Sequence, residues 1–170
     1  PISPEDRSRA MRLYEQATLD RLQGRSSEAT ERYNEALAVD PTLLSARIDL
    51  AGLLYTRGLY AESVAQYLEA LRADPDRTTA IRGLALACAA RRDYAGASEA
   101  LEKLLRRDGK NAQAWLDLGD AAHQMGDRAR ARACWAKAMT VDPGATETIV
   151  KARNRMSLFA TSRPVARAGK

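Results

Sequence analysis

The chain has 170 residues, 45% of them hydrophobic but only 5% aromatic, with alanine supplying much of the apolar count. That argues against a single core of large side chains and for close-packed helices. The formal charge of +5 resides in residues 144–170, where Lys151, Arg153, Arg155, Arg163, Arg167 and Lys170 face Glu147 alone, and the rest carries 21 charges of each sign, which excludes a basic nucleic-acid-binding body.

Cys88 and Cys134 match neither a disulfide framework nor a metal-ligand spacing and are expected to be small buried apolar residues. No apolar run is long enough for a membrane span. The sequence begins at Pro1 rather than Met and is expected to be a trimmed or processed piece, so a missing leader carries no information about location. The expected location is cytoplasmic, with a periplasmic or envelope-associated fragment as the alternative.

In chain order, Ser3-Pro4-Glu5-Asp6 predicts a helix start: Ser3 as cap, Pro4 in the first turn and two acids at the positive end of the helix dipole. Residues 1–9 then extend the first helix. Four helix–turn–helix units follow at 10–43, 44–77, 78–111 and 112–145. Residues 146–160 form a further helix with Ile149, Ala152, Met156 and Phe159 on one face. From 161 to 170 the periodicity stops, and a disordered basic tail is expected.

The units rest on a 34-residue period read in four columns. Pro41, Pro75, Gly109 and Pro143 each follow an aspartate: Asp40, Asp74, Asp108 and Asp142. Gly24, Gly58, Arg92 and Gly126 form a second column, Ala29, Ser63, Ala97 and Ala131 a third, and Tyr33, Tyr67, Leu101 and Trp135 a fourth. The small column lets paired helices approach closely, and the large one fills the space between one unit and the next. Gly24, Gly58 and Gly126 sit where a first helix ends in a left-handed residue, so Arg92 is expected to be strained. Each proline stops a second helix.

This period and pattern resemble the tetratricopeptide repeat family. Its signature appears best in the fourth unit, as Trp115-x2-Leu118-Gly119, then Ala131-x3-Trp135, then Pro143. The second unit gives Leu50-Ala51-x2-Leu54, Ser63-x3-Tyr67 and Pro75, and the third Ile81-x2-Leu84-Ala85-x2-Cys88, Ala97-x3-Leu101 and Gly109. In the first, Leu13, Gln16, Ala17 and Asp20 match poorly, while Ala29-x3-Tyr33 and Pro41 fit. The resemblance covers about residues 10–145. It implies an all-α fold, a right-handed α-solenoid of four units with a C-terminal capping helix. Arg153 stands in the small column of Ala17, Ala51, Ala85 and Gly119, so no second helix is expected to pack on that last helix.

The resemblance further implies a groove, lined by the first helices, that binds an extended peptide or a helix of a partner protein. Its columns hold Tyr14, Glu15, Thr18 and Arg21 in the first unit; Ile48, Asp49, Tyr55 and Thr56 in the second; and Thr79, Arg82, Leu86 and Ala89 in the third. The fourth contributes Gln113, Leu116, Asp117, Asp120 and His123. A subset of the family grips a terminal carboxylate with Lys, Arg and Asn. Here those columns carry Tyr14, Thr18, Asp49, Thr79 and Gly83, which disfavours that ligand. Asp117 and Asp120 share a helix face and point to an apolar anchor flanked by basic residues. Equally, Asp49 and Asp117 could pair with Arg82 across units, and Tyr14 and Tyr55 could be packing residues.

Trp115 and Trp135 are read as packing. His123, the only histidine, has no partner base, acid or nucleophile beside it in sequence. No phosphate loop, metal cluster or nucleophile elbow is present, so a catalytic site and a cofactor are not expected. The alternatives to a partner-binding adaptor are a scaffold that self-associates or anchors a larger assembly (pilus, secretion, polysaccharide or organelle) and, less favoured, a basic tail contacting nucleic acid or anionic lipid. The ratio of 22 arginines to five lysines suggests a GC-rich bacterial genome.

Overall fold

The structure, a computed structural model, describes residues 2–161. The segment expected to be a disordered tail lies outside them, apart from residue 161. Nine helices and no strand occur among the described residues: α1 (Pro4–Leu22), α2 (Ser26–Val39), α3 (Leu44–Thr56), α4 (Tyr60–Ala73), α5 (Thr78–Ala90), α6 (Tyr94–Arg107), α7 (Ala112–Gln124), α8 (Arg128–Ala138) and α9 (Thr146–Thr161). They fall into two units, one ending at Ala100 and the other starting at Leu101.

In the first unit α1 packs on α2 and α3 on α4, and α2 on α3 and α4 on α5. The close approaches occur at small residues. Ala17, Ala29 and Ala51 are fully buried, and the Ser63 hydroxyl donates to the Ala51 carbonyl at 2.8 Å, so even the polar member of that column is satisfied. Tyr33 sits in a core with Ala46, Leu50 and Leu53, and Tyr67 in the next with Ala80 and Ala87. On α1 the positions equivalent to the buried Ala46, Leu50 and Leu53 are Arg12, Gln16 and Leu19, all exposed. Two of the three are polar, which solvates that end of the helix stack.

Both turn types repeat with their hydrogen bonds. Each first helix closes with an N–H reaching five residues back, Arg25 to Asp20, Leu59 to Leu54, Asp93 to Cys88 and Asp127 to Ala122, each at 2.9 Å. This closure requires a left-handed residue, and φ is +77°, +77° and +82° at Gly24, Gly58 and Gly126, but +65° at Arg92. The aspartates of the proline column, Asp108 before Gly109 included, have a function of their own. The side chains of Asp40, Asp74, Asp108 and Asp142 accept the N–H two residues on at 2.9–3.2 Å, a turn that an Asx side chain closes and alanine would not. Because a side chain at left-handed φ costs about 1–2 kcal/mol, Arg92→Gly is expected to raise stability by about 0.5–1 kcal/mol after the entropy of a freer unfolded chain is subtracted. Chemical denaturation measures this.

In the second unit α7 packs on α8, and α9 packs on both. The core holds Leu116, Ala131, Trp135 and Ala152, with Met156 and Phe159 packed against it. The apolar face of α9 is the expected one, and Arg153 is exposed. No helix among the described residues is long and apolar enough to cross a membrane. Cys88 and Cys134 are buried free thiols whose pKa burial pushes up.

Candidate functional site

α1, α3 and α5 together line a cavity of about 670 Å³ in the first unit. Its origin lies in one interrupted column. In the first pair of helices the Tyr33 hydroxyl lies 3.2 Å from Thr18 Oγ1. In the last, Trp135 Nε1 donates to Asp120 at 3.0 Å. The corresponding position beneath Tyr67 is Gly52, where an added Cβ would lie 3.6 Å from the tyrosine hydroxyl, an ordinary contact. With no side chain there, the volume that Thr18 and Asp120 fill elsewhere stays open. Gly83 on α5 forms the opposite border, and a Cβ built on it would fall inside the Tyr67 ring.

The walls are apolar at Ile48, Leu53 and Leu86, hydroxylic at Thr56, Thr78 and Thr79, and charged at Arg21, Asp49 and Arg82. Asp49 Oδ2 accepts the Tyr14 hydroxyl at 2.9 Å. Burial, reinforced by Asp49, raises the Tyr14 pKa. Burial likewise raises that of Tyr67, with Asp49 and Tyr55 adding to it and Arg82 opposing it. Both phenols therefore stay protonated donors at neutral pH.

Of the groove-column residues expected from sequence, Arg21, Ile48, Asp49, Thr56, Thr79, Arg82 and Leu86 come together on this cavity. Tyr14 reaches its rim through Asp49 and packs on Tyr33 with ring centroids 6.0 Å apart. Thr18 serves Tyr33, Glu15 is exposed on α1, and Tyr55 packs on Tyr60 at 5.6 Å. Asp49 takes Tyr14, not Arg82, as its partner. Gly52, Tyr67, Ser26 and Thr78 were missed. A glycine inside a helix was the available signal for the first, since it weakens the helix unless something needs the space.

In the second unit the expectation changes. Leu116 is 2% exposed and belongs to the core, so it cannot line a groove. Asp120 accepts Trp135 and also Arg155 Nε at 3.1 Å, which ties α7 to α8 and α9. Gln113 Nε2 donates to Asp117 at 2.8 Å. His123 packs tilted on Trp135 and edge-on against Phe159, with ring centroids 5.6 and 5.7 Å away, and the Arg128 guanidinium lies 4.0 Å above the Phe159 ring. The two acids taken to favour basic flanks thus serve contacts within this unit. No cluster of three or more His, Cys, Asp or Glu side chains placed to hold a metal occurs among the described residues.

The family model described as tetratricopeptide repeat matches residues 20–88 and 89–147. The chain belongs to the tetratricopeptide repeat family. Members are generally non-catalytic protein-interaction modules. No curated protein sequence matches the chain. Among solved structures, MamA from Desulfovibrio magneticus RS-1 is similar at 16% identity, covering 95% of this chain and 90% of that one with a TM-score of 0.79. YrrB, described as a tetratricopeptide-repeat protein with an unusual peptide-binding site, is similar at 18% identity over 88% of this chain and 77% of that one, TM-score 0.72. At these identities the likeness concerns the repeat fold alone.

Proposed function

We propose that this tetratricopeptide-repeat protein is an adaptor that holds an extended or helical segment of a partner protein on the face formed by α1, α3 and α5. The observation that carries this reading is the opening at Gly52. The repeat column is filled by Thr18 and Asp120 elsewhere, yet here it is vacated above a buried tyrosine, between apolar walls and a polar rim. Such a recess can seat one anchoring side chain, the usual centre of an interaction surface. YrrB's description as peptide-binding is in keeping with it. A photo-crosslinking amino acid placed at Ile48 or Thr79 is expected to capture the partner, and one at the exposed Glu62 on α4 is not. Equal yields from both places would reject the reading.

A second reading, a self-associating scaffold, is favoured by the exposed apolar side chains Met11, Leu19 and Leu22 on α1 and Val150 and Leu158 on α9. Mass measured across a dilution series separates it from the first: self-association raises mass with concentration in the absence of any partner.

A further inference from the structure

Several arginines of the first unit that lie away from the Gly52 recess already have partners. Arg25 and Arg32 neutralise Asp20, Arg47 donates to Gln66 and to the Pro41 carbonyl, and Arg57 donates to Thr30. Arg21, in the last turn of α1, and Arg82, on α5, both line the recess with exposed side chains. Among the described residues of the first unit, neither guanidinium has a hydrogen-bond or ion-pair partner. The one carboxylate at the recess, Asp49, already accepts the Tyr14 hydroxyl. The recess therefore offers two unanswered guanidiniums and hydroxyl donors at Thr79 and Tyr67, beside the aliphatic wall of Ile48 and Leu86.

Guanidinium forks match carboxylates in geometry as well as charge. We propose that the occupant is an acidic segment of a partner polypeptide: an Asp or Glu carboxylate is held by Arg21 and Arg82, and a neighbouring apolar side chain fills the space left by Gly52. This rests on the groove reading above and deepens it. It reverses the sign suggested by Asp117 and Asp120, which serve contacts elsewhere.

A displayed library of random peptides, selected on the full chain and counter-selected on its Gly52→Leu variant, tests both statements separately. Enrichment of peptides with Asp or Glu next to an aliphatic or aromatic residue is expected. The affinity of the best of them should fall about tenfold or more in Arg21→Ala and in Arg82→Ala, and should weaken as salt is raised. Replacing the peptide's acid by its amide should cost wild type a similar factor and the arginine variants little. Peptides that require Gly52 but carry no acid and ignore both arginine substitutions would overturn the acidic occupant and leave the groove intact. Recovery of no Gly52-dependent peptide would overturn the groove reading and this proposal with it.

Discussion

The double variant Arg25→Ala, Arg32→Ala is expected to lose about 3–5 kcal/mol of stability, while Asp20→Leu loses little or gains. Asp20 occupies a column that is otherwise Leu54, Cys88 and Ala122, and it is 1% exposed. Its carboxylate is met by Arg25, with Nε at 2.8 Å, and by Arg32. The two arginines keep side-chain exposures of 47% and 40%, against 2% for the aspartate. The asymmetry follows. Without the arginines, a charge is left buried and unpaired, whereas without the aspartate the guanidiniums turn to water. Replacing a buried ion pair by a packed aliphatic side chain is often neutral or stabilising. Combining all three substitutions should therefore recover most of the loss, and denaturant titration of the four proteins gives the coupling directly.

Two helix-interior glycines bordering the same tyrosine are expected to respond in opposite directions. Gly83→Leu should cost about 3 kcal/mol, at the upper end of overpacking effects, because its Cβ would enter the ring of Tyr67, itself 7% exposed and wedged in the core. Gly52→Leu should be neutral or stabilising by up to about 1 kcal/mol, since glycine disfavours a helix by that amount and the leucine would extend into open volume. Thermal melts monitored by circular dichroism separate the two. If Gly52→Leu were as destabilising as Gly83→Leu, the recess would be a packing defect rather than space kept free.

Much of the architecture was legible in the sequence because repetition multiplies weak signals. A lone Asp-Pro or Gly says little, but three of each at one spacing, with Asp108-Gly109 and Arg92 in the same register, fix every turn. Arg92 was even legible as an anomaly, and it adopts the strained conformation its neighbours in the column imply. The aspartates were legible only as markers. Their acceptance of the N–H two residues on depends on side-chain geometry that a column of letters does not express. The site was less legible for the same reason. Column position does not separate a groove residue from one turned into the core, as Leu116 illustrates. Nor does it reveal that Asp120 is claimed by Trp135 and Arg155, residues 15 and 35 positions away. The recess itself arises from what is missing at Gly52, and an absent side chain is visible only when its neighbours are in place.

If the space above Gly52 holds the partner, filling it must weaken binding without weakening the fold. A segment of the crosslinked partner, fluorescently labelled, is titrated with wild-type protein and with Gly52→Leu, and the melting temperature of each is recorded alongside. Gly52→Leu is expected to melt no lower than wild type and to bind about tenfold or more weakly. A folded Gly52→Leu protein that binds the segment as tightly as wild type would contradict that expectation.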